Sequence, residues 1–538
     1  MKMLKIKGLL AAILALILLA GCAAGNQAGN NNANDEINKT ANSDAVGANS
    51  TEDSSDGTVK KDSLTVVIPV DIASLHQWKT NDAWAYCIIS EILDPLWHIS
   101  PVDGSIYGAL AESWEVNDDY TECKVKLREG VKFHNGDPLT TKDVKWTLEQ
   151  CINQSWCKRW VDNFEGVEII DDYNCILKWS VGDPNFMKYF SQCSMYIMPS
   201  DYIQEVGDEY YSEHPIGSGP FIFDSWTRGD SITLKSNKDY FDRPAEYDTL
   251  TIKMMADSNS SLMALETGDV DVVCDLKPSF KETVDQNDNL RWEQTVSTQY
   301  VFIQLNNQVE PLNDMRVRKA LNMAINREQL HAVALGGGGL MAPFGISPYD
   351  VQWSDDDPLP EYDPEGAKQL LAEAGYPNGF DITLTCREGD FQKPASEIVQ
   401  ANWNAIGVNC TVEVMEKNAQ ADDLIAGNFQ AGWQQTTDGI LDGNIWAMAN
   451  DSNYWGSKGA NRAFYKNERF DELNALQKVE FDEATRLEYF EEMKGIIAEE
   501  VPSCAGFFSP ITCVVNKDLN NTYAAMANML YRFEWFSW

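Results

Sequence analysis

Apolar and polar positions alternate from Thr121 to Arg128, with Cys123, Val125 and Leu127 set against Lys124, Lys126 and Arg128. A period of two predicts a half-buried antiparallel strand. Asn135-Gly136 and Asp137-Pro138 mark the turn after it. Thr140 or Thr141 then caps a helix with Val144, Leu148 and Cys151 on one face. Ser63 to Val70 reads as the opening strand, and Val167 to Ile170 with Cys175 to Trp179 as a hairpin. Further on the period changes. Gln299 to Asn306 predicts a strand, and Val317, Ala320, Leu321 and Ala324 follow at helical spacing. Asp363 as N-cap, Pro364 at the first helical position and Gly375 past the end frame a helix with Ala367, Leu370, Leu371 and Ala374 on its apolar face. Phe380 to Cys386, Pro394 to Ile406 and Val408 to Met415 read as strand, helix and strand. Those strands are predicted parallel, with a right-handed crossover. Cys386 then ends one strand while Cys410 starts the other, so the two are expected apart and unbonded. Antiparallel pieces early and βαβ units late predict separate α/β lobes.

The N-terminus has a different texture. Lys2, Lys5 and Lys7 precede an apolar run from Gly8 to Ala20. The run is shorter than the ~20 residues of a spanning helix and suits a signal-peptide core. It ends in Leu19-Ala20-Gly21-Cys22, which resembles a bacterial lipobox. That resemblance implies a lipoprotein signal peptide over 1–21, with Cys22 as the lipidated N-terminus of the mature chain. Several acyl chains on one residue give stable anchoring where one is marginal. Ala23 to about Ser63 is rich in Asn, Ala, Ser, Asp and Gly and has no aromatic residue. It cannot bury enough apolar surface to offset its ordering entropy, so residues 22–62 are expected to be a disordered tether, reaching about 35 Å root-mean-square.

The rest is globular in composition, with 44% hydrophobic and 11% aromatic residues in the whole chain. Its length calls for two or three domains. A net charge of −40 argues against nucleic acid and against electrostatic adhesion to an anionic membrane. Of the 12 cysteines, those beyond Cys22 leave an odd number. The expectation is mostly free or buried thiols with one or two bridges of unassigned pairing. No C-x-x-C occurs and the 5 histidines are scattered, so no zinc site and no other metal or cofactor is expected. His134 reads as a turn histidine that caps backbone groups, and Trp114, Phe133 and Phe221 as core.

Five stretches in order resemble the bacterial extracellular solute-binding family 5, the peptide, nickel and oligosaccharide type of ABC-importer receptor. They are AESWEVNDDYTECKVKLREGVKFHNGDPLTTKDVKWTLE from Ala111; PIGSGPFIF from Pro215 with SNKDYF from Ser236; LNDMRVRKALNMAINREQL from Leu312; YDPEGAKQLLAEAGYPNGF from Tyr362; and NERFDELNALQK, then IIAEEVP, near the end. The family implies an α/β periplasmic-binding-protein-like fold of type II with an extra domain and a hinge. Residues 63–95, 211–300 and 505–538 would form a discontinuous lobe I, 96–210 the extra domain and 301–504 lobe II. The implied partners are a small solute, most simply an oligopeptide or dipeptide, and ABC permease subunits. The implied state is a monomer outside the cytoplasm, lipid-anchored to the cell membrane or in a periplasm. Interdomain clefts favour ligands, and closure would be a hinge motion.

In peptide-binding relatives a Gly-Trp is followed, three residues after the Trp, by an Asp that grips the peptide ammonium. Here Gly432-Trp433 is present, Thr436 holds the anchor position, and the acids come later at Asp438 and Asp442. A hydroxyl cannot replace a carboxylate paired with an ammonium in a closed cleft. Either Asp438 or Asp442 takes the role, or the ligand is not a free-amine peptide. Trp433, Asp438 and Asp442 are therefore candidate solute-binding residues, and resemblance to the family's lobe edges adds Arg387, Asn81 and Trp84, with Asp82, Phe391 and Trp446 set aside as structural. No G-x-S-x-G, H-E-x-x-H or phosphate loop occurs, so no catalytic residue is expected. An oligosaccharide receptor of the same fold is the main alternative, ahead of a nickel chelate, a secreted glycosidase or an adhesive lipoprotein.

Overall fold

A computed structural model describes residues 61–538, apart from 102, 155, 156, 158–160, 162, 388–391, 457, 458, 528 and 529. The signal peptide, Cys22, nearly all of the tether and Phe391 lie outside the described residues. Among the described residues there are seventeen strands: β1 (Ser63–Ile68), β2 (Trp97–Ile99), β3 (Ile106–Gly108), β4 (Ala111–Val116), β5 (Glu122–Leu127), β6 (Phe164–Ile169), β7 (Asn174–Trp179), β8 (Phe221–Thr227), β9 (Ser231–Ser236), β10 (Thr249–Met254), β11 (Val272–Cys274), β12 (Leu290–Leu305), β13 (Leu340–Ala342), β14 (Asp381–Arg387), β15 (Asn409–Met415), β16 (Ala431–Thr437) and β17 (Ser503–Asn516).

Eleven of them join into one sheet, in the order β15-β14-β16-β12-β17-β11-β1-β10-β9-β8, with β13 beside β17. The two long strands β12 and β17 run through its middle and link the early and late parts of the chain. A second sheet, β4-β5-β7-β6, stands apart. Three large apolar cores correspond. One lies around β1, β9 and β10 with the last residues Phe533 and Phe536. One lies between residues 96 and 197, over the four-stranded sheet, and takes in Ile440. The third lies between residues 301 and 507.

Local chemistry explains the elements. On β5, Cys123, Val125 and Leu127 are buried and the lysines exposed, as the alternation requires. Thr140 caps the helix Thr141–Cys151 in a capping box with Asp143. Asp363 accepts the Gly366 N–H at 2.8 Å and Pro364 opens the helix Pro364–Glu373. β14 and β15 are parallel, and Cys386 lies opposite Val414 while Cys410 lies opposite Ile382. His134 offers one ring nitrogen to the Gly217 N–H at 3.2 Å and places the other 3.0 Å from the Gly219 carbonyl. Gly217 and Gly219 are needed for closeness: a Cβ on Gly217 would sit 2.1 Å from the Ile92 carbonyl oxygen.

Two expectations are corrected. Trp114 is 36% exposed and meets Trp97 edge to face. The strand expected at 299–306 begins nine residues earlier, at Leu290. Its first half carries Arg291, Glu293 and Gln294, polar residues that an antiparallel central strand tolerates because one face stays partly open.

Candidate functional site

β12 and β17 pair antiparallel in two stretches, Leu290–Val296 with Pro510–Asn516 and Tyr300–Gln304 with Ser503–Phe508. The register shifts between Val296 and Tyr300. Hydroxyl contacts fill the break: Ser297 Oγ and Ser509 Oγ lie 2.9 Å apart, and Ser297 Oγ accepts the Gln299 N–H at 3.1 Å. This irregular joint lies between the first core and the third, where a hinge would have to be. A cavity of about 110 Å³ opens beside it, and its lining includes Ala83, Asp275, Gln299, Thr437, Ser509 and Met526.

Alternation along β16 governs what faces what. Thr437 pairs with Gln299 and lines the seam cavity; Thr436 pairs with Tyr300 and faces the opposite way. Thr436, Tyr300 and Phe302 line a larger cavity of about 590 Å³, closed off by Phe344, Trp446 and Lys494. Every residue of that lining falls between 300 and 505. At the wall Lys494 is 2.9 Å from Asp357 and 2.8 Å from Glu491.

After Thr437 the chain turns through Asp438–Gly443. Asp438 Oδ1 accepts the N–H groups of Ile440 at 3.0 Å and Leu441 at 2.9 Å. Its other oxygen has no hydrogen-bond partner, although the residue is only 2% exposed. Burial, reinforced by the Asp442 carboxylate, pushes the Asp438 pKa up to about 6, against the pull of Lys188. Asp350, on the loop before Gln352, is in the same state. Its Oδ2 accepts the Ser347 N–H at 3.1 Å and its buried Oδ1 has no partner. Burial and then the Asp438 charge hold its carboxyl well above the usual range. A charge on Asp438 thus opposes ionisation of Asp350, as a charge on Asp442 opposes that of Asp438. Asp350 was missed by sequence reasoning: it sits in a turn with no periodicity, and only its fold neighbours give it meaning.

Asp442 is differently placed. Its oxygens accept Tyr189 Oη at 3.2 Å and the backbone and side-chain nitrogens of Asn444 at 3.0 and 2.5 Å. Tyr189 belongs to the middle core, so this carboxylate ties residues 438–444 to it. Lys188 Nζ donates to the Leu441 carbonyl and Gln192 Nε2 to the Gly439 carbonyl at 2.7 Å. Arg486 joins the same junction, donating to the Asp442 carbonyl at 3.0 Å. Leu441 holds a φ of 59°, a left-handed conformation costly for a side chain with a Cβ, and packs with Ile99 and Met526.

The remaining candidates divide. Trp433 is corrected from a pocket residue to a core residue: it is 2% exposed, packs near Phe507 and donates its indole N–H to Ser396 Oγ at 2.8 Å. Trp84 is buried and stacks on Tyr531 with ring centroids 6.2 Å apart. Asp82 caps the helix Ala83–Ile92, accepting the Trp84 and Ala85 N–H groups at 2.9 and 3.0 Å. Asn81 is exposed just before it, and Ala83 rather than Trp84 meets the seam. Arg387 is half-buried at the end of β14, and its charge acts on Arg462, whose pKa burial lowers first. Arg462 donates to Gln434 Oε1 of β16 at 2.8 Å. Trp446, expected to be structural, is 5% exposed and forms part of the larger cavity's wall.

The sequence profile of the bacterial extracellular solute-binding proteins, family 5, matches residues 105–458. The chain belongs to this family. Among curated relatives, it is 29% identical to the oligopeptide-binding protein AppA of Bacillus subtilis over 423 residues, 73% of this chain and 76% of AppA. It is 26% identical over 455 residues to the glutathione-binding protein GsiB of Escherichia coli K12, covering 82% and 87% of the two chains. The solved structure of Bacillus subtilis AppA in complex with a nonapeptide superposes with a TM-score of 0.74 at 25% identity, over 89% of this chain and 99% of that one. Proteins of this family are extracytoplasmic receptors that bind solutes for ABC importers, and the seam cavity lies where two of its cores face each other.

Proposed function

We propose that the chain is the extracytoplasmic receptor of an ABC importer for peptides with a free ammonium group, held at the seam between lobe I (63–95, 211–300, 505–538) and lobe II (301–504). The observation that carries this reading is the pair of unpartnered, buried oxygens on Asp350 and on Asp438, the residue after Thr437 of the seam lining. A buried acceptor without a donor costs roughly 1–3 kcal/mol, more when charged. A cargo ammonium would relieve both at once, with charge-assisted hydrogen bonds. Asp438 is then the displaced anchor, while Asp442 serves as the tie to the extra domain (96–210). The relatives named for oligopeptides and glutathione support a peptide-like cargo, as does the nonapeptide bound to AppA.

Hydroxyls and amides of Thr437, Gln299 and Ser509 would meet the cargo backbone. The receptor does no chemistry: it closes on cargo, and cargo can drive closure only by binding the closed form better than the open one. Cys22 would carry the lipid that holds the monomer near its permease.

Calorimetric titration with matched peptides tests the reading. A free-amine peptide should bind, and its affinity should rise as the pH passes upward through about 6, where Asp438 ionises. The N-acetylated peptide should bind at least tenfold more weakly, with no such dependence, and Asp438→Asn should erase the difference. Equal binding of both peptides to the wild type, or binding of oligosaccharides in their place, would sink the ammonium site.

A further inference from the structure

All eleven cysteines among the described residues are buried thiols. Two pairs on neighbouring strands are out of register for a bond. Cys123 and Cys175 are on neighbouring strands but face Leu177 and Val125. Cys386 and Cys410 are four positions apart along theirs. Cys274 and Cys513 differ: they are direct partners across the antiparallel pair β11 and β17.

The ladder fixes the kind of pair. The Asp275 N–H donates to the Thr512 carbonyl at 2.7 Å and the Asn516 N–H to the Asp271 carbonyl at 2.9 Å. Hydrogen-bonded partners alternate with non-bonded ones in an antiparallel ladder, so Cys274 and Cys513 form a non-hydrogen-bonded pair. Such pairs have Cα atoms about 4.5 Å apart, with side chains on the same face and close together. A disulfide needs a separation of about 4.4–6.8 Å. The two thiols are already in contact with each other.

We infer that Cys274 and Cys513 are an oxidative modification site, joined by a disulfide when the exported chain folds in an oxidising compartment. The oxidant is a disulfide of the glutathione or exported dithiol-oxidase class. One cysteine thiolate attacks it, forming a mixed disulfide and expelling one thiolate. The second cysteine thiolate then attacks the protein sulfur of that bond and expels the other. Two electrons pass to the oxidant, whose two sulfurs leave as thiols carrying the protons lost by the cysteines. Cys274 and Cys513 are 2% and 0% exposed, so the exchange belongs to the stage before β17 seats against β11.

The placement gives the bond a role. It would close a loop over residues 275–512, which contains all of the third core. Cys513 lies three residues beyond Pro510, where the register of β12 and β17 resumes after the irregular joint. The staple would hold the returning strand to the first core while the joint flexes.

The full chain, exported and recovered in N-ethylmaleimide without reductant, is digested unreduced and mapped by mass. The expected product links the Cys274 and Cys513 peptides and is lighter by two hydrogens than the two thiol peptides together. Reductant should lower the melting temperature of this protein by several degrees, and should do nothing to the melting temperature of Cys274→Ser. Maleimide on both sulfurs in the exported wild type, or glutathione on either in place of the link, would overturn the inference. The mass map needs no variant, so a misfolded Cys274→Ser cannot mask the answer, and it does not depend on which solute is bound.

Discussion

The two faces of β16 end in different surroundings. Trp433 and Thr437 share one face, which starts in the third core and runs out to a small polar cavity between cores. Thr436 lies on the other, over a cavity five times larger and walled by aromatics. By volume alone the larger space suits a solute. By composition it does not answer to closure: its wall comes from one stretch of chain, so opening two lobes would leave it unchanged. The seam cavity is bounded by residues from both sides of the joint. The difference teaches that in a hinged receptor the origin of a cavity's walls says more than its capacity.

Truncating the buried face should have the largest effect. Trp433→Ala removes a side chain packed in the third core and should cost about 3–5 kcal/mol of stability, read by denaturant unfolding. Thr436→Val on the other face should change stability by less than about 0.5 kcal/mol. Equal losses would mean the two faces are not distinct.

Next comes Asp438. Its folded pKa of about 6 lies above the ~3.9 of an unfolded Asp. The unfolded state therefore ionises first as pH rises. The stability this group contributes is complete below about pH 4, falls between about 4 and 6 and is absent above. Two units at 1.36 kcal/mol each give a ceiling of about 3 kcal/mol. Asp438→Asn should flatten that stretch of the stability curve and be more stable than the wild type at pH 7. A parallel curve would show that the Asp438 carboxyl is not buried.

The smallest effect is expected at the tie to the extra domain. Tyr189→Phe removes the hydroxyl that meets Asp442 and Asn444 and should cost about 1 kcal/mol. It should act on the closed form, raising cargo dissociation while leaving association alone. Stopped-flow release would read it, and a change in association only would place Tyr189 outside the tie.

Much of this was legible in the residues. The strand at 122–127, the capped helices and the βαβ unit each announce themselves by local pattern, and five ordered motifs announced the family. What stayed hidden depends on pairing. Which way Trp433 points is set by its partner Ile303, a residue more than a hundred positions away. Asp438 and Asp350 become a pair only when two loops meet, and neither loop has periodicity to read. The first half of β12 was missed because its polar residues resemble a loop until β17 is laid beside them.

Under the proposed function, cargo enters between the lobes. Two space-filling variants separate the cavities directly: Ala83→Trp occupies the seam, and Ala498→Trp the larger space. Calorimetric titration with a free-amine peptide should show affinity lost by at least a hundredfold in Ala83→Trp, about 2.7 kcal/mol, and kept within a few-fold in Ala498→Trp. The reverse pattern would contradict the account.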